Sequence, residues 1–199
     1  MNIHVIPNGL DLSKWEFKDR KHGPNILYVG EISHKKGPML LMNAFHHLLV
    51  CQYQKRWKGA KDPYHLWIAG QFKDPRFEFY VKHYIMQTKM EEYVHLQGYV
   101  KDLPALHDTM NYAILTSPWE SQNLGIMEAM ASGIKPLIHW FPGAETIYPK
   151  TYLWNDFTQL KFLVSESPYN SKEYRNYIED RYSMKNMIKK IGEVMEVKK

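Results

Sequence analysis

The segment spanning residues 112–140 constrains the fold of this chain more than any other. It opens with an apolar run, residues 112–117, which has the length and composition of a buried strand and stops at Pro118. A polar turn follows, and then a segment rich in Met, Ala and Leu, which favour helix. Gly133 closes that segment as a helix-ending glycine does, and a second apolar run covers residues 135–140. The order of strand, turn, helix and strand predicts one unit of an α/β fold.

Two carboxylates interrupt this segment: Glu120 lies in the turn, and Glu128 lies among apolar residues of the predicted helix. A carboxylate on a buried helix face is unfavourable unless it is paired, so two interpretations are open for Glu128. It either occupies a narrow exposed stripe of the helix or accepts hydrogen bonds from the hydroxyls of a ligand. Glu128 lies about 7.5 Å of helical rise beyond Asn123, and the free N–H groups of a helix start attract phosphate. A ligand with phosphates at the helix start and a ribose beside the second turn would meet both features.

Glu120 and Glu128, with the alanine, glycine and proline residues that follow them, resemble the glutamate-seven-residues-glutamate motif of retaining glycosyltransferases of the GT-B fold. The resemblance is greatest to family 4, the glycosyl transferases group 1. It implies that Glu128 holds the ribose of a nucleotide-diphosphate sugar, and that Glu120 lies near the transferred sugar. It also implies that backbone amides of the turn cradle the diphosphate, which assigns Gln122, Asn123 and Leu124 to donor binding.

The turn departs from the family at one point, because Gln122-Asn123 stands where the family favours Phe-Gly. Asn adopts a left-handed backbone more readily than most residues. We therefore expect the turn to keep its shape.

A second candidate binding loop follows the apolar run of residues 25–30, which predicts another buried strand. Gly30 at its end permits close backbone approach, and Lys36 could place an ammonium group on a phosphate. A loop lysine is most often only solvated. The resemblance gives Lys36 a role, because the family carries a Lys-Gly pair at this place that binds the diphosphate, and Lys36-Gly37 matches it.

The same loop carries a mismatch at Glu31, which occupies the position of a second basic residue, an arginine, in the family. A carboxylate there would repel a diphosphate. Three outcomes are open: Lys35 substitutes for the arginine, His34 does so, or the phosphate site is weakened.

The rest of the chain continues the alternation of strands and helices. Strands are predicted at residues 64–70, 94–98 and 151–154, helices at about 39–57, 76–88 and 103–110, and a helical pattern from Asp156 onward. These elements predict a Rossmann-like, three-layer α/β domain with a parallel sheet of about six strands, which binds ligands at the carboxyl ends of the strands. The resemblance assigns Tyr99 and Val100, which follow the third strand, to the border of the base. For Tyr99, packing at the strand end is an equal alternative.

The last predicted helix has apolar residues at spacings of three and four, which is typical of one buried face. These residues are Met184, Met187, Ile188, Ile191 and Met195. We expect this stripe to belong to the core.

The amino-terminal residues 1–20 resemble the linker between the two halves of a family 4 enzyme, and residues 21–199 resemble its donor-binding domain. The resemblance implies a partner, the amino-terminal half that recognises the acceptor. We therefore expect this chain alone to bind a nucleotide sugar weakly and to transfer nothing.

Composition limits the remaining function classes. The chain is 44% hydrophobic and 24% charged, which is typical of a soluble globular domain, and its net charge of +5 is scattered among acids. This charge pattern argues against nucleic acid and is compatible with peripheral membrane contact. The single cysteine, Cys51, fits a reducing compartment, and the start lacks a signal-peptide pattern, so the predicted location is cytoplasmic. No metal-ligand spacing or dinucleotide fingerprint occurs, so we expect neither a metal nor a cofactor besides the donor.

The sequence thus predicts the donor-binding domain of a retaining glycosyltransferase, with Glu120 and Lys36 as catalytic candidates. Lys36 and the turn amides would stabilise charge on the leaving diphosphate. One alternative is a binding module of the same fold without catalysis, which Glu31, Gln122 and Asn123 favour. Another is a different GT-B enzyme, such as a nucleotide-sugar epimerase or a phosphorylase.

Overall fold

The computed structural model describes residues 3–53 and 62–196. Their centre is a sheet of six parallel strands. The strands are β1 Asn25–Val29, β2 His65–Ala69, β3 Val94–Gly98, β4 Tyr112–Leu115, β5 Lys135–His139 and β6 Leu153–Trp154. Their order across the sheet is β3-β2-β1-β4-β5-β6, which is the order of the doubly wound Rossmann fold. The predicted fold class and the expected number of strands are confirmed.

Helices cover both faces of the sheet. They are α1 Pro38–Tyr53, α2 Pro75–Gln87, α3 Leu103–His107, α4 Leu124–Ala131, α5 Ala144–Ile147, α6 Phe157–Ser165, α7 Ser171–Tyr182 and α8 Met184–Glu196. Helices α1, α2 and α6 bury their apolar side chains against one face, and α4 and α7 bury theirs against the other. This arrangement gives the three layers.

Alternation along β1 shows how a strand serves both layers. Ile26 and Tyr28 belong to the core beneath α1, whereas Leu27 belongs to the core beneath α4. All three are almost completely buried, because a central parallel strand has a helix on each side. Such a strand reads as a continuous apolar run, which explains why the sequence reveals it clearly.

Several element boundaries differ from the sequence prediction. Helix α1 ends at Tyr53 within the described residues, and positions 54–57 of the predicted helix lie outside them. Strand β6 has only two residues, because residues 151 and 152 belong to the 3-10 turn Lys150–Tyr152. The helical pattern after Asp156 resolves into three helices, α6, α7 and α8.

The apolar stripe of α8 is not part of the core, and that prediction was wrong. Ile188 is 60% exposed and Met195 is 67% exposed, and Met184 and Ile191 are also exposed. The reason is positional: α8 packs on the outside of α7, which already covers the sheet, and among the described residues only the start of the stripe is covered, where Met187 lies beside Gly9. A helical period of apolar residues indicates an amphipathic helix without telling which surface covers it.

Candidate functional site

The candidate site lies where the strand order reverses, between β1 and β4. The connection after β1 runs to one side of the sheet and the connection after β4 runs to the other, which opens a crevice at the carboxyl ends of these strands. The loop after β1 carries Lys36, and the turn after β4 carries Glu120. Residues that are far apart in sequence therefore meet at this edge.

Gly37 allows the two connections to touch. Its φ is +65°, in the left-handed region, and a Cβ at this position would lie 2.3 Å from the carbonyl oxygen of Thr116. The hydroxyl of Thr116 donates to the carbonyl of Lys36 at 3.0 Å. A side chain at position 37 would push the loops apart, so glycine is needed for both backbone shape and space.

The Lys36 ammonium donates to the Glu120 carboxylate, forming an ion pair between the two connections. The Glu120 side chain is only 5% exposed, and Ser117 and Asn123 donate to the same carboxylate oxygen at 3.0 and 3.1 Å. Burial by itself would raise the pKa of Glu120, but the hydrogen bonds from Lys36, Asn123 and Ser117 outweigh it and hold this pKa below its ordinary value. Glu120 is therefore a fixed anion, and Lys36 is held at the crevice.

Asn123 begins α4 as its N-cap. Its backbone is extended, with φ −91° and ψ 104°, and its side-chain oxygen accepts from the Ile126 amide at 3.0 Å. The tolerance of Asn for a left-handed backbone is therefore not used here, because an N-cap residue is typically extended. The first amides of α4, those of Leu124 and Gly125, have no acceptor within the described part of the protein and remain available to a ligand.

Glu128 lies on the second turn of α4 and is half-buried. Among residues 3–53 and 62–196, nothing pairs with its carboxylate, and burial raises the pKa of Glu128 to about 7. It therefore neither lies on an open stripe nor belongs to a salt bridge. A partly desolvated carboxylate without a partner can accept hydrogen bonds from a ligand with neighbouring hydroxyls.

A cavity of about 340 Å³ opens beside these groups over the carboxyl ends of β1, β2 and β3. Its lining includes Val29, Gly30, Ala69, Val100 and Leu103, so the floor is apolar, and the exposed ring of Tyr99 lies at its rim. Val29 also adjoins the first turn of α4, because a Cβ on Gly125 would lie 3.2 Å from the Val29 Cβ. The cavity and the helix start are therefore neighbours.

Glu31 also lines this cavity, and its partly exposed carboxylate lies beside Lys73. The Lys73 ammonium lies 3.6 Å from the Glu31 carboxylate, and both residues line the cavity. Backbone hydrogen bonds join the two loops here, from Ile32 to Gln71 and from Lys73 to Ile32. The negative charge at position 31 is thus partly balanced by a cation from the loop after β2. The sequence did not predict this pair, since the three outcomes proposed for the loop involved only Lys35, His34 or a weakened phosphate site.

The family model described as Glycosyl transferases group 1 matches residues 23–155, which is more than half of the chain. The chain belongs to this family.

Several solved structures share the fold of this chain. The chain is similar to Anabaena HepE, crystallised with UDP and glucose, with a TM-score of 0.80 and 15% identity over 98% of this chain. It is also similar to sucrose-phosphate synthase from Thermosynechococcus elongatus, with a TM-score of 0.69 and 16% identity over 97% of this chain. A third similar structure is the lipopolysaccharide outer core galactosyltransferase WaaB, with a TM-score of 0.74 and 18% identity over 98% of this chain.

This group 1 glycosyltransferase chain spans 57%, 52% and 56% of the lengths of these three proteins, respectively. A comparison with curated proteins found no match. At these low identities the structures establish the fold, and the site must be argued from the residues of this chain.

The structure brings most of the predicted site residues of this group 1 chain to one edge of the sheet. Lys36, Glu120, Asn123, Leu124 and Glu128 surround the start of α4. Gly30, Tyr99 and Val100 line the cavity. Tyr99 is 76% exposed, so the alternative that it packs at the strand end does not hold.

The side chain of Gln122 points elsewhere. Its amide oxygen accepts from the Asn8 backbone N–H at 2.8 Å, and its nitrogen donates to the Asn8 carbonyl at 2.9 Å. Only the backbone of Gln122 therefore stays available for the predicted ligand contact.

Sequence reasoning missed Ser117, Lys73 and the structural role of Gly37. The N-cap role of Asn123 had a readable signal, an Asn directly before a helical segment. Lys73 had none, because its proximity to Glu31 depends on the pairing of two loops.

Two further features of the group 1 chain concern metals and membranes. Within residues 3–53 and 62–196, no three His, Cys, Asp or Glu side chains cluster in a way that could hold a metal ion. None of the helices in the same residues combines the length and the apolar character that crossing a bilayer requires.

Proposed function

We propose that this chain is the donor-binding domain of a retaining family 4 glycosyltransferase, which transfers a sugar from a nucleotide-diphosphate sugar to an acceptor. The observation that carries the proposal is Glu128, a half-buried carboxylate that has no partner in the described part of the chain and lies one turn beyond the free amides of α4. This spacing suits the ribose hydroxyls and the diphosphate of one nucleotide.

In this proposal each part of the donor has its own place. Glu128 accepts hydrogen bonds from the ribose hydroxyls, and the diphosphate lies at the start of α4 near Lys36. The base enters the cavity beside Tyr99 and Val100, whose apolar floor suits a flat ring. Anabaena HepE, which has the same fold, was crystallised with UDP-glucose, which supports a nucleotide sugar as the ligand class.

The transfer step places charge on the diphosphate. The bond between the anomeric carbon and the diphosphate oxygen breaks, and its electron pair stays on the diphosphate. The acceptor oxygen then bonds to the anomeric carbon on the same face, and its proton passes to the departing diphosphate oxygen. The Lys36 ammonium and the amides of Asn123 and Leu124 stabilise the developing negative charge. Glu120 orients the sugar, and no metal has a role in this scheme.

The proposal also divides the molecule. Residues 1–20 act as the linker, residues 21–199 bind the donor, and the acceptor is recognised by an amino-terminal half. Because the chain spans only 52–57% of the length of the three similar structures, we expect it to bind a nucleotide without transferring sugar on its own.

Calorimetric titration with UDP, GDP and ADP tests donor binding. We expect one nucleotide to bind the wild-type chain and Glu128→Ala to weaken it at least tenfold, which corresponds to roughly the loss of one charge-assisted hydrogen-bond pair. Glu91→Ala is the matched control, because Glu91 is an exposed glutamate. Equal affinities for wild type and Glu128→Ala would contradict the placement of the ribose.

A second candidate function is a nucleotide-binding module without catalysis. Glu31 favours it, because this carboxylate lines the proposed base cavity next to the phosphate site. The two candidates separate when the chain is joined to an amino-terminal half: sugar transfer supports the enzyme, and nucleotide binding without transfer supports the module.

A further inference from the structure

The amino-terminal segment is tied directly to the turn that carries Glu120. Residues 8–10, called here the strap, run between this turn and the junction of α7 and α8, and the strap contacts Gln122 at Asn8. The Gln122 side chain forms a reciprocal pair with the Asn8 backbone, accepting its N–H at 2.8 Å and donating to its carbonyl at 2.9 Å. A side-chain amide that bonds both groups of one backbone residue fixes its position as a neighbouring strand would.

The strap is anchored at its other end to the junction of α7 and α8. Leu10 donates to the Tyr182 carbonyl at 2.6 Å and accepts from the Met184 amide at 2.9 Å. Gly9 lies so close that a Cβ there would be 2.6 Å from the Met184 Cα. The strap is therefore held between the junction of α7 and α8 and the Gln122 side chain.

Gln122 in turn belongs to the functional part of the turn. It lies between Glu120 and the N-cap residue Asn123, whose side chain donates to Glu120 at 3.1 Å. Its amide nitrogen also contacts the Met127 sulfur on α4 at 3.2 Å. A displacement of the strap would therefore shift the turn that holds the Lys36–Glu120 ion pair and the free amides of α4.

We propose that Gln122 is a positioning residue that couples the strap to the ligand-binding turn, so that nucleotide affinity depends on the strap. The coupling is reciprocal: a ligand that orders the turn also protects the Asn8 amide from exchange. Its meaning for sugar transfer rests on the proposed function, in which the strap leads to the acceptor half. The nucleotide affinity of the donor site would then depend on the position that the acceptor half gives to the strap.

The test compares Gln122→Met, which keeps the side-chain length and removes the amide, with Gln159→Met. Gln159 is a matched control, because its amide oxygen also accepts a backbone N–H, from Asn155 at 2.8 Å, but on α6. We expect Gln122→Met to weaken nucleotide binding about fivefold, within the usual range of coupling between sites. The control should leave binding unchanged.

Removing residues 1–8 separates coupling through the strap from local damage to the turn. The truncation should weaken binding by a similar factor, and Gln122→Met should have no further effect in the truncated chain. If the two changes multiply independently, the proposal is overturned, since Gln122 then acts without the strap.

Amide exchange of Asn8 in the full chain, followed by NMR, gives a second readout that does not require the truncation to fold. The exchange should be faster in Gln122→Met than in Gln159→Met. Nucleotide should slow the exchange of the Asn8 amide in the wild type and should not slow it in Gln122→Met. Equal Asn8 exchange in both variants would overturn the proposal. If UDP, GDP and ADP all fail to bind the wild type, the proposed function fails, and faster Asn8 exchange in Gln122→Met would still support the attachment of the strap to the turn.

Discussion

Lys36 and Glu120 stand 84 positions apart in the chain and form a direct ion pair between the connections that follow β1 and β4. Neither connection could position its charged group alone. The pair exists because β1 and β4 are adjacent in the sheet and because Gly37 lets their connections touch. It holds the Lys36 ammonium at the crevice and keeps the buried Glu120 carboxylate ionised.

Removing only one partner of this ion pair should destabilise the fold more than removing both. Lys36→Met leaves the buried Glu120 carboxylate without its cation, and we expect a loss of about 2–4 kcal/mol in the free energy of unfolding. The double variant Lys36→Met/Glu120→Gln should recover at least half of this loss. Urea unfolding measures both values. Lys82→Met, which removes the exposed pair with Glu78, serves as control and should cost about 0.5 kcal/mol. A similar cost for Lys36→Met and Lys82→Met would show that the Glu120 site tolerates an unpaired charge.

Glu128 should make stability and ligand binding depend on pH in opposite directions. Its pKa is about 7 in the folded chain and ordinary in the unfolded chain, so the folded state binds more protons between these values. Stability therefore falls as pH rises from about 4.5 to 7. Because solvent reaches part of this carboxylate, we expect Glu128→Gln to stabilise the protein by about 1–2 kcal/mol at pH 8.

Nucleotide affinity should rise through the same pH range, since the ionised carboxylate is the better acceptor for ribose hydroxyls. Thermal unfolding and calorimetry at pH 5 and pH 8 measure the two trends. Glu91→Gln should change neither of them. A wild-type affinity that falls from pH 5 to pH 8 would argue against Glu128 as the acceptor.

The pair of Glu31 and Lys73 should moderate the charge of the cavity. Lys73→Ala exposes the nucleotide to an unbalanced Glu31 carboxylate, so we expect affinity to fall about threefold to tenfold. Glu31→Gln should restore it in the Lys73→Ala background. Lys172→Ala, an exposed lysine on α7, is the control. Calorimetry in 50 and 500 mM salt tests the electrostatic origin, because screening should shrink the effect. An effect of Lys73→Ala that persists in the Glu31→Gln background would mean that Lys73 contacts the ligand itself.

Gly37 and Gly98 have similar φ values but differ in the space available for a Cβ atom. Their φ values are +65° and +62°, but a Cβ at Gly37 would lie 2.3 Å from the Thr116 carbonyl oxygen, whereas nothing lies within 4 Å at Gly98. Gly98→Ala should lower the free energy of unfolding by about 1 kcal/mol through backbone strain alone. Gly37→Ala should lower it by about 3 kcal/mol or more and weaken nucleotide binding. Equal losses, measured by urea unfolding, would show that the two loops separate at little cost.

The sequence predicted those elements whose formation depends on residues close together in the chain. Buried parallel strands such as β1 and β4 are continuous apolar runs, and the segment around α4 displays its strand, turn and helix in order. The candidate residues Glu120 and Glu128 were identifiable because a resemblance to a known motif links two carboxylates within a single turn and helix.

The sequence alone determined the order of the elements, and with it the α/β class and the edge of the sheet where the candidate site lies. The tertiary structure alone decided which distant groups meet: Lys36 with Glu120, Lys73 with Glu31, and Asn8 with Gln122. It also decided that the apolar stripe of α8 faces outward. The physical reason is that periodicity and propensity act over a few residues, whereas ion pairs and burial depend on which elements the folded sheet places side by side.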